Sequence, residues 1–546
     1  MQTSAVAMRV LVFLALAGIP AAALAAPPTA TSLFPAGGQR GQTVDVTASG
    51  SFSNWPAKCW ASKPGVTVSA ASDQGKFSAA IAPDAAPGLY WLRFYDAEGA
   101  AAPLPFLVDT LAETIEQEPN DSPQLPQTLP GPATVVNGRL QKRGDVDVFA
   151  VGLTEGQTLV AALEAHRTLG SPVDAVLQIV SPRGAVLAQN DDERELDPLL
   201  TFVAPATGKY LVRVFGFPAA ADTSISLSGA ETYIYRLTIT SGGYLDAALP
   251  LAVAKDATTT VELSGWNLPQ AGMKLALRTA ANQREIEAFG PSLAGSLSLP
   301  VEPHPCLVEA EPNSLDQPQT VQLPLTIGGR IAEAKDRDAF RFAAKKGEVL
   351  RFEIESRSLG YPLDAVLELY NAAGDSPLVR VDDAENRADA ELTYAVPADG
   401  DYRIVVSDLY RHFGPRFVYR LRATRLAADF RLSADAQAFA LKSGAPLEIP
   451  LKIDRRQSFA GEIAFKIEGL PPGVALAPAK SLAGDGSAKA VKLSLSGGQE
   501  PFSGPIRIVG EAADAAGPMQ REAEAALPNR TATIKDLWLT VLPAGK

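Results

Sequence analysis

Side chains that carry oxygen atoms cluster near residue 116 of this 546-residue chain, with a spacing that suits a hard cation. Glu116, Glu118, Asn120 and Asp121 lie within one short segment. Calcium takes about six to eight oxygen ligands from carboxylates, amides and backbone carbonyls at flexible distances. Such a segment can therefore supply much of a calcium shell. The alternative interpretation is a solvated acidic linker that is held rigid by its proline.

Two further carboxylates follow in the pattern Asp-Val-Asp-Val-Phe. Residues two apart on a strand face the same side, so Asp145 and Asp147 complete the shell if their strand lies beside the acidic segment. Paired carboxylates also catalyse glycoside hydrolysis, which leaves a cryptic hydrolase as an alternative. We predict a calcium site whose ligands are Glu116, Glu118, Asn120, Asp121, Asp145 and Asp147.

A second copy of this pattern lies further along the chain. Its corresponding side chains are Glu309, Glu311, Asn313, Asp336 and Asp338. Ser314 stands where the first copy has Asp121, and the loss of that carboxylate predicts a weaker second site. The duplication argues against catalysis, because a chain seldom needs two identical hydrolytic centres.

The two acidic clusters belong to a longer internal repeat. Residues 169–177 recur as 359–367, and each copy closes on an aromatic strand that contains Tyr-Arg-Leu. Because the landmarks keep one order and a nearly constant offset, they predict two duplicated domains. These domains, which we call repeat 1 and repeat 2, span residues 111–240 and 306–425.

The repeated motifs resemble the bacterial pre-peptidase C-terminal domain. They are the opening Glu-x-Glu-Pro-Asn, the Asp-x-Asp-x-Phe strand, an Asp-Asp turn and a Gly-x-Tyr strand. The resemblance implies a non-catalytic, jelly-roll-like β-sandwich of about eight strands, which in that family often follows a secreted protease. The repeats are also similar to the collagen-binding modules of clostridial collagenases, and this implies calcium near the opening acidic segment.

Three further units surround the repeats. Residues 26–110, 241–305 and 426–546, here the first, middle and last units, resemble immunoglobulin-like sandwiches, the middle one small or incomplete. Alternating patterns such as Thr-Val-Asp-Val-Thr recur along the chain, and this period of two is typical of half-buried antiparallel strands. We predict an all-β, rod-like array of tandem β-sandwich domains, with two jelly-roll-like repeats alternating with immunoglobulin-like sandwiches.

Two segments admit more than one interpretation. Residues 511–527 are rich in Ala and Glu, but Gly517-Pro518 interrupts them, so we expect a loop between strands rather than a short helix. The basic strand from Arg416 to Arg425 places Arg420 and Arg422 on one face. We interpret that face as solvated, with a patch for an acidic glycan as the alternative.

The N-terminus predicts export. Arg9 precedes the apolar run 10–19, and Ala23-Leu24-Ala25 offers the small residues that a signal peptidase reads. We therefore interpret residues 1–25 as a signal peptide and place the mature chain in the periplasm or outside the cell. No later stretch is apolar enough to span a membrane. Cys59 and Cys306 fall in different units, which favours two buried free thiols over a disulfide.

The remaining signals limit the classes of function. The net charge of −12 disfavours nucleic acid as a partner. The three histidines match no catalytic pattern, and neither a Gly-x-Ser-x-Gly elbow nor a His-Glu-x-x-His motif is present. We predict a non-catalytic binding or scaffold protein that adheres to an extracellular or envelope protein or polysaccharide. The alternatives are an accessory subunit of a secreted protease and a cryptic hydrolase.

Overall fold

The structure is a computed structural model in which nearly every regular element is a strand, so the all-β prediction is confirmed. Within the part of the chain it describes, no helix has the length and apolarity to cross a membrane. The predicted signal peptide lies outside the described residues. Those residues are 26–220, 226–270, 272–280, 283–372, 374–384, 388–514, 517–528, 530 and 532–542.

The first unit forms two four-stranded sheets, β1-β3-β6-β5 and β2-β8-β7-β4. Alternate side chains of each strand point between the sheets, so the aromatic residues Phe77, Tyr90, Phe94 and Phe106 share one core. The strands are β1 (Thr29–Phe34), β2 (Gly37–Gln39), β3 (Thr43–Ser51), β4 (Lys58–Ala61), β5 (Val66–Ala70), β6 (Lys76–Ile81), β7 (Gly88–Tyr95) and β8 (Leu104–Asp109).

Repeat 1 packs two five-stranded sheets over one apolar core, β10-β12-β17-β14-β15 and β16-β13-β18-β11-β9. A single helical turn, α1 (His166–Leu169), ends at Gly170. The strands are β9 (Glu113–Ile115), β10 (Gln127–Thr128), β11 (Ala133–Arg139), β12 (Asp147–Leu153), β13 (Thr158–Glu164), β14 (Val173–Val180), β15 (Val186–Asn190), β16 (Leu199–Val203), β17 (Gly208–Pro218) and β18 (Ile234–Thr240).

The middle unit is small, with two three-stranded sheets, β19-β21-β22 and β20-β24-β23, among its described residues. Its core includes Leu245, Val261 and Leu299. The strands are β19 (Tyr244–Leu249), β20 (Val253–Ala254), β21 (Thr258–Trp266), β22 (Met273–Arg278), β23 (Glu285–Ala288) and β24 (Leu297–Glu302).

Repeat 2 has the strand order of repeat 1, with sheets β26-β28-β33-β30-β31 and β25-β27-β34-β29-β32. Each repeat has ten strands in its described part rather than the eight that the resemblance implied, because short strands are added at the sheet edges. The strands are β25 (Cys306–Val308), β26 (Gln319–Thr320), β27 (Leu325–Arg330), β28 (Asp338–Ala344), β29 (Val349–Glu355), β30 (Ala365–Asn371), β31 (Val379–Val381), β32 (Glu391–Ala395), β33 (Gly400–Asp408) and β34 (Val418–Arg425).

The last unit joins its strands into one hydrogen-bonded network around a single core. The prediction of a loop at 511–527 was wrong, because β42 and β43 continue through this region as an antiparallel hairpin. The strands are β35 (Asp429–Ala434), β36 (Ala438–Lys442), β37 (Leu447–Arg456), β38 (Ile463–Glu468), β39 (Val474–Leu476), β40 (Lys480–Ser481), β41 (Ala490–Gly497), β42 (Phe502–Asp514), β43 (Gly517–Ala526), β44 (Thr533–Ile534) and β45 (Leu537–Leu542).

The units do not form the rod that we predicted, because the last unit returns to contact the first. Trp538 packs against Trp60 and Tyr95, with ring centroids 6.0 and 4.8 Å away. The buried Arg93 lies over the same indole and donates to the side chain of Gln437, 344 positions away. These contacts close the chain on itself.

The basic strand of repeat 2 is not a solvated face. Arg420 is buried and pairs with Glu355, while Arg422 pairs with Glu302 and Glu355. An interface with the middle unit covers this face, since Arg420 also donates to the Leu251 carbonyl. The arginines therefore hold two units together and do not form an open glycan patch. Both cysteines are free and partly buried.

Candidate metal centre

The acidic segment of repeat 1 lies across the edge of the sandwich, partly inside and partly outside. Glu116 and Asn120 are buried, whereas Glu118 and Asp121 are exposed to solvent. Asp145, in the turn before β12, and Asp147, its first residue, are fully buried. The six predicted ligands thus meet in one region, which is open to solvent on the side of Glu118 and Asp121.

One group of carboxylates in this region has the spacing of a metal site. Oxygen atoms of Glu118, Asp121 and Asp145 lie within 4.8 Å of one another. Asp145 uses Oδ2 to accept a hydrogen bond from the Gln141 backbone amide, but its buried Oδ1 accepts none. A buried carboxylate oxygen without a donor is costly, and a cation would satisfy it.

Asp147 is held from the opposite sheet by a tyrosine that lies outside the predicted ligand set. The Tyr235 hydroxyl, on β18, donates to Asp147 Oδ2 over 2.6 Å and lies 3.3 Å from Glu116 Oε2. Its ring crosses Gly138 on the neighbouring β11, where an added Cβ would lie 2.0 Å from the ring. Glycine at 138 therefore permits the tyrosine to reach between the sheets.

Asn120 connects the exposed and the buried carboxylates. Its side-chain amide lies 3.2 Å from Asp147 Oδ1 and 3.2 Å from Glu118 Oε2, and it donates to both when its nitrogen faces them. The Glu118 carboxylate in turn accepts from the Asn120 backbone amide. An amide can turn its nitrogen toward carboxylates or its oxygen toward a cation, so this residue fits either state.

Burial and crowding perturb the acidity of these groups. Burial, together with the nearby carboxylate of Glu116, raises the pKa of Asp147 to about 9. Burial also raises the pKa of Glu116 to about 7 and raises those of Glu118 and Asp145. Protons therefore relieve the repulsion among these carboxylates when no cation is bound.

Repeat 2 reproduces the buried half of this arrangement. The Tyr419 hydroxyl donates to Asp338 Oδ2 over 2.7 Å, and its ring crosses Gly329. The Asn313 amide lies 3.2 Å from both Asp338 and Glu311. Burial raises the pKa of Asp338 to about 10.

The carboxylates that lie close enough together to hold a metal ion differ between the repeats. The close carboxylates of repeat 2 are Glu309, Glu311 and Asp338. Asp336, the counterpart of Asp145, is only partly buried and accepts a hydrogen bond from the Ala332 backbone amide. Repeat 1 also has a cationic side chain beside its carboxylates, because the ammonium nitrogen of Lys142 lies 3.9 Å from carboxylate oxygens of both Asp121 and Asp145.

The clusters make stability depend on pH, and we expect the melting temperature in EDTA to fall between pH 6 and pH 9. The raised pKa values of Asp147 and Asp338 mean that the folded state binds protons which the unfolded state releases. This stabilisation is complete when the pH is below the ordinary pKa of a carboxyl group, and it is lost as the pH rises through the raised pKa values. The measurement is a series of calorimetric melts of the full chain.

The double variant Asp147→Asn, Asp338→Asn is the control for this pH effect. An amide oxygen still accepts from each tyrosine but does not titrate, so we expect a flatter profile. A wild-type melting temperature that is constant from pH 6 to pH 9 would contradict the prediction.

One family model matches a segment of the chain. Residues 145–216 of repeat 1 match the family model of the bacterial pre-peptidase C-terminal domain. A probable subtilase-type serine protease of Deinococcus radiodurans is 28% identical over 244 residues, which cover 44% of this chain and 27% of that protein. The chain thus spans about a quarter of the length of this curated relative.

Two solved structures show similarity at low identity. The pre-peptidase C-terminal domain of a collagenase from Bacillus anthracis is 14% identical and covers 19% of this chain and 93% of its own, with a TM-score of 0.16. PliG of Aeromonas hydrophila, a periplasmic inhibitor of g-type lysozyme, is 16% identical and covers 24% of this chain and 98% of its own, also with a TM-score of 0.16.

Proposed function

We propose that this chain is an exported, non-catalytic binding or scaffold protein whose repeats are stabilised by calcium. The observation that carries the proposal is the carboxylate cluster that both repeats share. In each, a buried aspartate is fixed by a tyrosine hydroxyl and an asparagine amide inside the sandwich. Groups held in this way stabilise a fold, whereas catalytic carboxylates must face a substrate.

The residues of repeat 1 fit calcium. Glu118, Asp121 and Asp145 would supply carboxylate oxygens, and the Asn120 amide would add another oxygen. The Oδ1 atom of Asp145, which accepts no hydrogen bond and has Lys142 Nζ 3.9 Å away, provides a buried ligand atom. Calcium would supply the positive charge that protons and the Lys142 ammonium provide in its absence.

We expect millimolar calcium to raise the melting temperature of the full chain by several degrees relative to EDTA. Extracellular calcium modules bind at about 0.1–1 mM. A ligand specific for the folded state, at ~50 times its dissociation constant, adds roughly 2.3 kcal/mol, which shifts the melting of a domain by several degrees. The measurement is calorimetry of the full chain in both buffers.

Paired variants separate the two repeats. We expect Glu118→Gln to remove most of the shift and Glu311→Gln to remove less, because Ser314 supplies no carboxylate in repeat 2. We expect Lys142→Met to enlarge the shift, because it removes the competing ammonium. Identical wild-type melts with and without calcium would overturn the calcium proposal.

A pull-down tests the binding function itself. The immobilised mature chain is mixed with cell-envelope and matrix extracts, with and without calcium, beside the Glu118→Gln variant. Reproducible retention of an envelope protein or polysaccharide supports the proposal. Retention of nothing above an inert β-sandwich control would overturn it.

The similarity to a probable subtilase-type protease supports a second candidate, an accessory subunit of a secreted protease. That candidate predicts that the pull-down retains a protease and that the chain changes the rate of that protease. A screen of the purified chain against peptide and glycoside substrates tests for its own activity. Turnover by the wild type that is lost in Asp147→Asn would overturn the non-catalytic assignment.

A further inference from the structure

One side of the repeat 1 sandwich has no sheet partner among the described residues. Strand β15 ends one sheet and pairs only with β14, while β16 ends the other sheet and pairs only with β13. The Asn190 side chain accepts a hydrogen bond from the Leu199 backbone amide over 3.1 Å, which joins the end of β15 to the start of β16. The two strands therefore lie along the same open side, and Val186 and Val203 lie at the same end of it.

This open side exposes aliphatic side chains. Val186 and Leu187 on β15 and Val203 on β16 are between 44% and 61% exposed. The next residue, Ala188, packs against the core, so Leu187 faces the outside of the sheet. The outer backbone N–H and C=O groups of a terminal strand have no sheet partner, and an exposed apolar edge is therefore a template on which another strand can pair.

The open side also lacks charge. β15 (Val186–Asn190) and β16 (Leu199–Val203) contain no Asp, Glu, Lys or Arg, although these residues make up 20% of the chain. The same side of repeat 2 carries Arg380 on β31 and Glu391 on β32. Charged residues on an edge strand oppose its pairing with another edge. Because the two repeats share one strand order, the comparison shows that repeat 1 has no such protection.

The middle unit leaves β15 more accessible than β16. It packs on the outer face of the sheet that contains β16, where Tyr244 shares an apolar cluster with Leu199. Asn267 of the middle unit also donates to the Thr158 carbonyl, and Thr158 stands opposite Val203 in the register of β13 and β16. β15 lies in the opposite sheet, so it is the edge at which another chain has room.

We infer that β15 of repeat 1 pairs with β15 of a second copy of this chain, so that two five-stranded sheets become one continuous sheet across a twofold axis. Around such an axis the same surface meets itself, and each strand faces its own sequence. A charged strand would then place like charges opposite each other, which is destabilising, whereas the uncharged β15 does not. The net charge of −12 opposes contact between copies elsewhere on the surface, so an uncharged edge is where two copies can approach.

Dimerisation would give the proposed binding protein two copies of its ligand surface. Two linked sites bind a repetitive surface with greater avidity than either site alone. The inference goes beyond the proposed function, because it depends neither on the identity of the ligand nor on calcium. Retention of an envelope component by a strictly monomeric protein would leave the proposed function standing and remove this inference alone.

Sedimentation equilibrium of the full chain tests the inference in about 0.15 M salt, which screens the repulsion between the net charges. We expect a weak dimer with a dissociation constant of roughly 10–100 µM, because one strand pair and its flanking side chains bury less than a standard interface. Leu187→Lys should weaken the dimer by about tenfold or more, since it brings two ammonium groups together across the axis. Leu378→Lys is the matched control, because Leu378 is similarly exposed beside β31 of repeat 2, and it should leave the dissociation constant unchanged.

Amide hydrogen exchange of the wild type locates the contact, and it decides the question even if Leu187→Lys fails to fold. Exchange at residues 186–190 should slow at concentrations that favour the dimer, while β31 should exchange at the same rate throughout. A chain that stays monomeric up to about 300 µM overturns the inference. So does a dimer that leaves residues 186–190 unprotected or that persists undiminished in folded Leu187→Lys. Protection of this edge only by a different protein from the pull-down would also overturn it, because the edge would then belong to that partner.

Discussion

Asp246→Ala is expected to lower the free energy of unfolding by about 3–5 kcal/mol, because it removes one partner of a buried ion-pair network. Asp246 lies on β19 of the middle unit and is 3% exposed. It accepts from Arg194 of repeat 1 at 2.7 Å and from Arg416 of repeat 2 at 2.8 Å. Both guanidiniums would lose this carboxylate, and with it the charge that joins the two repeats through the middle unit.

Denaturant unfolding of the full chain measures this loss, and small-angle scattering detects any separation of the repeats. Asp435→Ala is the control, because its partner Lys452 and the carboxylate itself are both exposed. Exposed pairs contribute about 0–1 kcal/mol. A loss of less than about 1 kcal/mol in Asp246→Ala would show that the two arginines do not depend on this residue.

Trp538→Ala is expected to have a comparable effect of about 3–5 kcal/mol and to release the last unit from the first. The indole is 1% exposed, packs against Trp60 and Tyr95, and donates from Nε1 to the Ser503 hydroxyl. Its removal leaves a cavity at the contact between the units and deprives Arg93 of the ring beneath its guanidinium.

Scattering should show a larger radius of gyration for Trp538→Ala, and limited proteolysis should separate the first unit sooner. Trp538→Phe keeps an aromatic ring at the contact and should lose less stability. If the radius of gyration stays unchanged while stability falls, the indole supports only the core of the last unit, and the closure depends on other contacts.

The sequence pattern was sufficient to propose the buried carboxylates of the candidate site, but the tyrosines that donate hydrogen bonds to them were overlooked. The repeated Asp-x-Asp pattern identified Asp147 and Asp338 without any structure. Their partners, Tyr235 and Tyr419, lie on strands that were recognised only as aromatic. The signal was present, because both copies keep a tyrosine where a core would accept phenylalanine, and both have a glycine on the neighbouring strand, Gly138 in the first repeat.

Contacts between units were harder to predict. The alternation of β7 shows that Trp91 and Tyr95 face outward, but strand periodicity does not show which surface covers them. The hairpin at 511–527 was missed because Ala and Glu have low strand propensity, which is overridden by the pairing of β42 with β43 and of β43 with β35 and β44. Arg420 was expected in solvent because carboxylates from distant segments cannot be located from spacing alone.

The closure between the first and last units has a mechanical consequence. A force that pulls these two units apart acts first on the contact of Trp538 and on the hydrogen bond between Arg93 and Gln437. The ion pair of Arg284 with Glu522 and the hydrogen bond from Arg530 to the Leu169 carbonyl share this load, so the 344 positions between Arg93 and Gln437 are not fully stretched until these contacts break. Under tension the protein should therefore extend in a long abrupt step, and the repeats with their carboxylate clusters should be stretched only afterwards.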